Sequence, residues 1–296
     1  MRTDFVALSV RAARNPGISQ TAVPALQIIR ADRVMPRVHS VQRPSLCFIV
    51  QGVKEVSVGR TRFRYRSLEF LFTSVDLPVT GQVVEASIEK PYLCLVLEIE
   101  PGLVLELATA SASAGVAPQA KASSEPAIFV GRRDEQLADA FFRLLRSASK
   151  PLDAQVLAPG VIREITYRLL LSPYGSAVRA AGMVGGQTQC IAKAIERLKR
   201  DYSQALRVEQ LARAAGMSVS SFHDHFKRVT TLSPLQYQKQ LRLQEARRLL
   251  LGDASSAAEV AFRVGYESPS QFSREYARFF GLPPRSDAKR IAAGDS

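Results

Sequence analysis

The sequence predicts an α+β chain of two domains: a β-sandwich or small barrel trailed by helices, then an all-α domain of two helix-turn-helix units joined by a long helix. Three observations carry this. Short strand-like runs fill residues 45–99, helical periodicity sets in after Pro101, and one helical motif occurs twice in the last third of the chain, fifty residues apart.

The strand runs are SLCFIVQG, KEVSVG, TRFRY, EFLFTS, QVVEAS and YLCLVLEIE, rich in Val, Ile, Leu, Phe and Tyr and mostly separated by turns containing Gly, Pro, Asp or Ser. KEVSVG and TRFRY alternate as half-buried strands do, whereas LCFIV and YLCLVLEI are continuously apolar and belong at a sheet centre. After Pro101, GLVLELATASA and DEQLADAFFRLLRSA read as helices, the second with Leu137, Phe141, Leu144 and Leu145 on one face, and LAPGVIREITYRLLLSP supplies another. Between the first two, the small polar stretch Ser111 to Pro126 reads as a loop. The segment from Ser172 to Gly186 contains Pro, Gly and Ser with little periodicity, and marks the domain junction. The expected domains are residues 1–180, with the barrel at about 20–100 and helices at about 101–172, and residues 187–296.

Composition bounds what such a chain does. With 296 residues and 46% hydrophobic content it can bury ordinary cores, which excludes disorder, a collagen-like fibre and a small stapled scaffold. Cys47, Cys94 and Cys190 are an odd number without CxxC spacing, as expected in a reducing cytoplasm. No run approaches the roughly 18 apolar residues of a membrane span. Asp4, Arg11 and Arg14 flank only a short apolar stretch without a cleavage pattern, so a soluble, cytoplasmic protein away from membranes is expected. The net charge of +13 points to a polyanionic partner, although charge alone does not separate nucleic acid from a membrane surface. Residues 187–296 carry +7 and the preceding 186 carry +6, so the helical domain has about twice the charge density.

The repeat is specific. GMSVSSFHDHFKRVTTLSP and GYESPSQFSREYARFFGLPP pair Ser218 with Ser268, Ser220 with Ser270, Phe222 with Phe272, Phe226 with Tyr276, Arg228 with Arg278, Leu232 with Leu282 and Pro234 with Pro284. A short amphipathic helix precedes each copy and ends at Gly216 or Gly265. Ser268, Pro269 and Gln271 form a capping-box start, Ser256 with Glu259 another, and Ser233, Pro234 and Gln236 open the long connector LQYQKQLRLQEARRLLL. Phe222 with Phe226 and Phe272 with Tyr276, at i and i+4, face each unit's core. The opposite faces then offer Ser220, Ser221, His223, Asp224 and Lys227, and Ser270, Gln271, Ser273 and Arg274. A major groove about 12 Å wide admits one such helix, its first-turn side chains on base edges. The bland alternative is a helical protein-interaction module whose polar faces are solvated.

The segments VEQLARAAGMSVSSFHDHFKRVT, SPLQYQKQLRLQEARRLLL and AAEVAFRVGYESPSQFSREYARFFGLPP, in this order and spacing, resemble the AraC/XylS family of bacterial transcription regulators over the complete C-terminal domain. RPSLCFIVQGVKEV and SVDLPVTGQVVEAS look like the AraC-type N-terminal domain of one branch, which implies a cupin-like β-barrel followed by helices. The resemblance places the second helix of each unit in the major groove of double-stranded DNA and carries base-edge roles onto Ser220, His223, Asp224, Ser270, Gln271 and Arg274. Ser218, Ser221, Lys227, Arg228, Ser268, Ser273 and Arg278 are the phosphate candidates. It implies a regulator, an activator rather than an enzyme, that needs no cofactor, contacts RNA polymerase, and either senses a small molecule or dimerises through its first domain. Two departures stand out: Asp224 is acidic where a basic or neutral side chain is usual, and Thr231 replaces the helix-ending glycine that Gly281 supplies in the second copy, which predicts a less rigid first unit.

The competing class is a cupin-type metal enzyme fused to a DNA-binding tail. Its metal site needs clustered His and carboxylate ligands. Of three histidines, His223 and His225 lie on the groove helix and point to different faces, leaving His39, beside Ser40 and Arg43, as a surface residue rather than a ligand. No GxSxG, GxGxxG or P-loop motif occurs. Cys47 and Cys94 read as small buried hydrophobes, with redox sensing a secondary reading. Phe48, Phe70 and Phe72 either line an effector pocket in the barrel interior or fill the core.

Overall fold

The computed structural model describes residues 2–113, 126–183, 185–252 and 256–292. The chain divides into two compact units, Met1–Ile191 with Arg228–Thr231, and Ala192–Lys227 with Leu232–Ser296.

The first unit begins with α1 (Arg2–Ala12), then β1 (Gly17–Gln20), β2 (Leu26–Ala31), β3 (Val38–Gln42), β4 (Ser45–Gln51), β5 (Val53–Val58), β6 (Thr61–Arg66), β7 (Phe70–Thr73), β8 (Leu77–Glu85) and β9 (Tyr92–Glu98). It continues with α2 (Pro101–Ser113), β10 (Ile128–Gly131), α3 (Glu135–Ser147), α4 (Pro151–Val156), α5 (Ala158–Leu171) and α6 (Gly175–Gly182). Two antiparallel sheets result, ordered β1-β2-β9-β4-β7-β10 and β3-β8-β5-β6. All six strand runs of residues 45–99 are present, and the α+β architecture is as expected.

The apolar strands β4 and β9 are central to the larger sheet because both of their faces are buried. Leu46, Phe48 and Val50 of β4 and Leu93, Leu95 and Leu97 of β9 join a core with Leu137, Phe141, Leu144, Ile165 and Val178 of the helices. The alternate residues Cys47 and Cys94 turn the other way, toward Lys54 and Tyr65 of the smaller sheet. Hydrogen bonding with Cys47, and then burial, push the Cys94 thiol up, while the same bond holds Cys47 down.

This alternation settles where the three phenylalanines lie. Phe48 stacks on Phe141 at 4.6 Å, Phe72 on Phe129 at 5.0 Å, and Phe70 meets Tyr174 edge-on at 6.4 Å. All three fill the sheet–helix core rather than the space between the sheets. The segment Ser172 to Gly186 also differs from its reading as a featureless junction, since it contains α6, with Ala177 and Val178 buried against the same core. Of the expected loop from Ser111 to Pro126, Ser111 to Ser113 end α2, and 114–125 lie outside the described residues.

The second unit is helical: α7 (Gln187–Arg200), α8 (Val208–Ala214), α9 (Val219–Thr230), α10 (Pro234–Gly252), α11 (Ala257–Arg263), α12 (Pro269–Phe280) and α13 (Pro284–Ala292), of which α7 and α9 straddle the division. Tyr237 and Leu241 of α10 are buried, as are Leu243, Ala246 and Leu249, the latter three in a core with Val260, Ala261, Phe272 and Tyr276. No helix of the described residues is long and apolar enough to cross a membrane.

Thiol chemistry checks the burial pattern. Cys47 is 2% exposed, Cys94 is 0% exposed, and Cys190 is half-buried. A chromogenic disulfide reagent should therefore titrate Cys190 promptly in the native chain and the other two only after unfolding in denaturant. Prompt reaction of all three would contradict the packing of β4 against β9.

Candidate nucleic-acid interface

Each helix-turn-helix unit is built by local chemistry. α8 ends in a Schellman turn, with Met217 N donating to Ala212 O (2.9 Å) and Gly216 N to Arg213 O (3.0 Å). α11 ends identically, Tyr266 N to Ala261 O (2.9 Å) and Gly265 N to Phe262 O (3.0 Å). The turn to the serine cap is one residue longer in the second unit, Gly265 to Ser268 against Gly216 to Ser218.

The caps hold, with one correction. Ser218 Oγ accepts from Ser221 N at 3.2 Å, and Ser233 with Gln236 and Ser256 with Glu259 form reciprocal boxes. Ser268 Oγ accepts from Gln271 N at 3.3 Å, but the reciprocal half is missing because the Gln271 amide is directed at Glu275, with Nε2 3.5 Å from Oε1. Thr231 adopts the left-handed conformation, φ 62°, that Gly281 adopts at φ 84°. The first groove helix thus stops as the second does, at a steric cost of about 1–2 kcal/mol for a residue with a Cβ.

The two faces separate cleanly. Phe222, Phe226, Phe272 and Tyr276 are fully buried. Ser218, Ser220, His223, Asp224, Lys227 and Arg228 are exposed on the first unit, and Ser270, Gln271, Arg274 and Arg278 on the second, while Ser221, Ser268 and Ser273 are half-buried. His225 is half-buried with its Nδ1 enclosed, as expected of a residue two positions from His223. In the N-terminal unit His39 stands on β3, its Nδ1 2.9 Å from Thr80 Oγ1, and among the described residues no three His, Cys, Asp or Glu side chains gather into a metal-holding group.

Three polar networks were not legible in the sequence. Gln238 Nε2 donates to the carbonyls of Tyr202 and Gln204 (3.0 and 2.8 Å), and Arg242 donates to those of Tyr202, Ser203 and Gln204 (2.7, 3.2 and 2.8 Å). Arg242 also lies 5.9 Å from the Tyr266 ring centre, and burial pulls its guanidinium below the ordinary range. Asp287, wholly buried, takes both nitrogens of the Arg247 fork (2.8 and 3.0 Å), the Tyr276 hydroxyl (2.9 Å) and Arg290 (3.2 Å). Burial and that bond push the Tyr276 phenol far up. Glu275 accepts from Lys239 (2.9 Å) and Tyr266 (2.9 Å); burial raises its carboxyl, but these bonds hold it net below the usual range. Offset by fifty, Tyr276 and Asp287 correspond to Phe226 and Tyr237, which meet edge-on at 5.5 Å, so the first unit uses an apolar contact where the second uses ions.

Known proteins share both units. Residues 22–177 match the family described as AraC-type transcriptional regulator N-terminus, and residues 211–290 match a helix-turn-helix domain. The chain is 30% identical over 145 residues to the HTH-type transcriptional activator RhaS of Salmonella schwarzengrund, covering 48% of this chain and 50% of the relative. It is 34% identical over 93 residues to the HTH-type transcriptional regulator YdiP of Escherichia coli, covering 31% and 30%. The chain thus spans between about a third and a half of the length of the curated relatives it matches. Among solved structures, ToxT from Vibrio cholerae superimposes with a TM-score of 0.52 at 8% identity, over 89% of this chain and 97% of that one, a likeness of fold alone.

Two expectations follow from the geometry. Removing the carboxylate in Asp287→Ala leaves Arg247 without its buried partner and should cost about 3–5 kcal/mol of stability in urea unfolding, against about 1 kcal/mol for Tyr276→Phe. A Cβ on Gly265 would meet Ser203 O at 2.0 Å, whereas nothing lies within 4 Å of one on Gly216. Gly216→Ala should therefore cost only the backbone strain of about 1–2 kcal/mol, and Gly265→Ala clearly more; equal shifts in melting temperature would mean that the 202–204 turn yields.

Proposed function

Because the match at residues 22–177 spans more than half of its length, the chain belongs to the AraC-type transcriptional regulators, and we propose that it binds DNA sequence-specifically through its two helix-turn-helix units. One observation carries this reading: two capped helices of the same build each bury an aromatic face and expose a polar, partly basic one, and both are founded on α10. In this reading Ser220, His223 and Asp224, and Ser270, Gln271 and Arg274, meet base edges. Arginine pairs with guanine, glutamine with adenine, and the acid of Asp224 accepts from cytosine N4. Ser218, Ser221, Lys227, Arg228, Ser268, Ser273 and Arg278 hold the phosphates. The two readers occupy successive major grooves about 34 Å apart.

The N-terminal unit regulates this binding, either by taking up a small molecule or by pairing two chains into a homodimer. The Tyr65 and Tyr92 hydroxyls support the first option, being fully buried beside Cys94 and each other without a well-formed hydrogen bond, a state that a polar ligand relieves. The described activator role of RhaS supports activation as the mode, with RNA polymerase as the contact at the promoter. The chain is a cytoplasmic regulator without catalytic activity.

Mobility shifts of the full chain on mapped genomic fragments test the proposal, followed by a binding series over single-base variants at fixed salt. Arg274→Ala should weaken the true site by roughly ten- to a hundredfold and flatten preference at one base pair, whereas Arg278→Ala should weaken all sequences alike. A uniform loss in Arg274→Ala, with every base preference kept, would demote Arg274 to a phosphate contact.

A further inference from the structure

We propose that Glu275 is a positioning residue for base reading: it fixes the orientation of the Gln271 amide so that the carbonyl oxygen faces the groove. The inference rests on the DNA-reading role proposed above and concerns which base Gln271 accepts. Gln271 is the third residue of α12 and Glu275 the seventh, one turn apart on the same side. Gln271 is exposed, whereas the Glu275 side chain retains only 17% exposure, clamped by Lys239 Nζ on Oε1 and Tyr266 O–H on Oε2, each at 2.9 Å. The carboxylate therefore stays in place while the amide above it is free to turn.

A carboxylate only accepts hydrogen bonds, and an amide has a donor end and an acceptor end. The end of Gln271 that can approach Glu275 is the NH2 group, and Nε2 stands 3.5 Å from Oε1, the outer limit of such a contact. Turned by half a rotation, the amide would set its own oxygen against the carboxylate, a repulsive arrangement. Gln271 therefore shows the groove a carbonyl oxygen and its remaining N–H. That pair suits adenine, with its N6 donor and N7 acceptor, and the leading oxygen also accepts from cytosine N4. On guanine N7 and O6 and on thymine O4 the leading oxygen finds only acceptors, so the remaining N–H alone can pair there and the contact is weaker.

Lys239 neutralises the carboxylate, so the device does not set an unbalanced negative charge beside the phosphates. The first unit lacks it: fifty residues earlier, Glu275, Gln271 and Lys239 become His225, Ser221 and Gln189. The effect should thus fall on a single base pair under the second unit.

The test is the single-base binding series on the full chain, with Glu275→Gln as the main variant. A glutamine at 275 can offer either amide end to Gln271, so the orientation is no longer imposed. Discrimination against guanine or thymine at the pair read by Gln271 should fall roughly five- to tenfold, while the preferences at other pairs and the salt dependence stay as in the wild type. Tyr266→Phe and Lys239→Met each remove one of the two bonds that hold the carboxylate, so each should lower the melting temperature and relax the same pair, less than Glu275→Gln does. Gln271→Ala added to Glu275→Gln should flatten the same pair no further than Gln271→Ala alone. If Glu275→Gln fails to fold, Glu275→Asp, which withdraws the acceptor by one methylene and keeps the charge, should relax the same pair. A Glu275 variant that binds with uniformly lower affinity and the wild-type base pattern overturns the positioning role alone. A wild-type chain with no base preference on any fragment overturns the DNA-reading role with it.

Discussion

The arrangement of the helical unit depends on how the carbonyls of Tyr202, Ser203 and Gln204 are satisfied once they leave α7. A backbone oxygen withdrawn from water must find a donor. Here the donors are Gln238 and Arg242 on α10, five bonds in all to three residues. Guanidinium bonds are charge-assisted and directional, so the fork sets both the path of the chain and the rotation of α10 about its axis. Arg242 also lies by the Tyr266 ring at the turn of the second unit. One side chain thereby ties the entry of the first reading unit to the turn of the second, and Gly265 is confined to glycine by the same Ser203 carbonyl. α10, 19 residues and about 28 Å long, then acts as the rigid ruler between the readers.

On this frame the two units are alike in outline and unlike in cohesion. Phe226 against Tyr237 is a contact of shape and area, indifferent to salt and nearly so to pH. Arg247 and Tyr276 around Asp287 form a buried network whose members each need the others, because any one left unpaired inside the protein carries its desolvation cost alone, and the exposed Arg290 adds a bond from the surface. The cation above Phe280, with the Arg247 guanidinium carbon 4.7 Å from the ring centre, extends the network into the aromatic core. α13 is thus docked by specific geometry rather than by apolar area.

What the sequence disclosed follows from the range of the forces involved. Serine caps, helix-ending glycines and the i, i+4 aromatic pairs are local, and they delivered α8 to α12 with the faces of both groove helices. The strands of residues 45–99 were equally legible from composition. The sides of β4 were not: when both faces of a strand are buried, alternation vanishes, and Phe48 cannot be told from Cys47 by pattern. β1, β2, β3 and α6 carry too few residues for a period to show, and α1, though 11 residues long, scatters its apolar positions without a clear face, so these elements owe their form to the sheet or core they join. The networks around Arg242, Glu275 and Asp287 bring together residues as many as forty positions apart, so no local spacing announces them. The capping-box expectation at Gln271 failed for a local reason, since Glu275, one turn further on, takes its amide.

The sheet order β1-β2-β9-β4-β7-β10 has a consequence for the time course of self-assembly. β2 pairs with β9, some seventy residues later, and β10 reaches β7 only after α2 has intervened. Loops of that size must close before their contacts repay the lost entropy, which puts such topologies among the slower folders, roughly milliseconds to seconds, while helical units with near-neighbour contacts form in roughly microseconds to milliseconds. When the whole chain starts unfolded, the helical unit is the quicker to form. A full-length chain diluted out of denaturant therefore holds its groove-facing surfaces ready while the two sheets are still pairing, and for that interval nothing in its other half is yet in place to govern them.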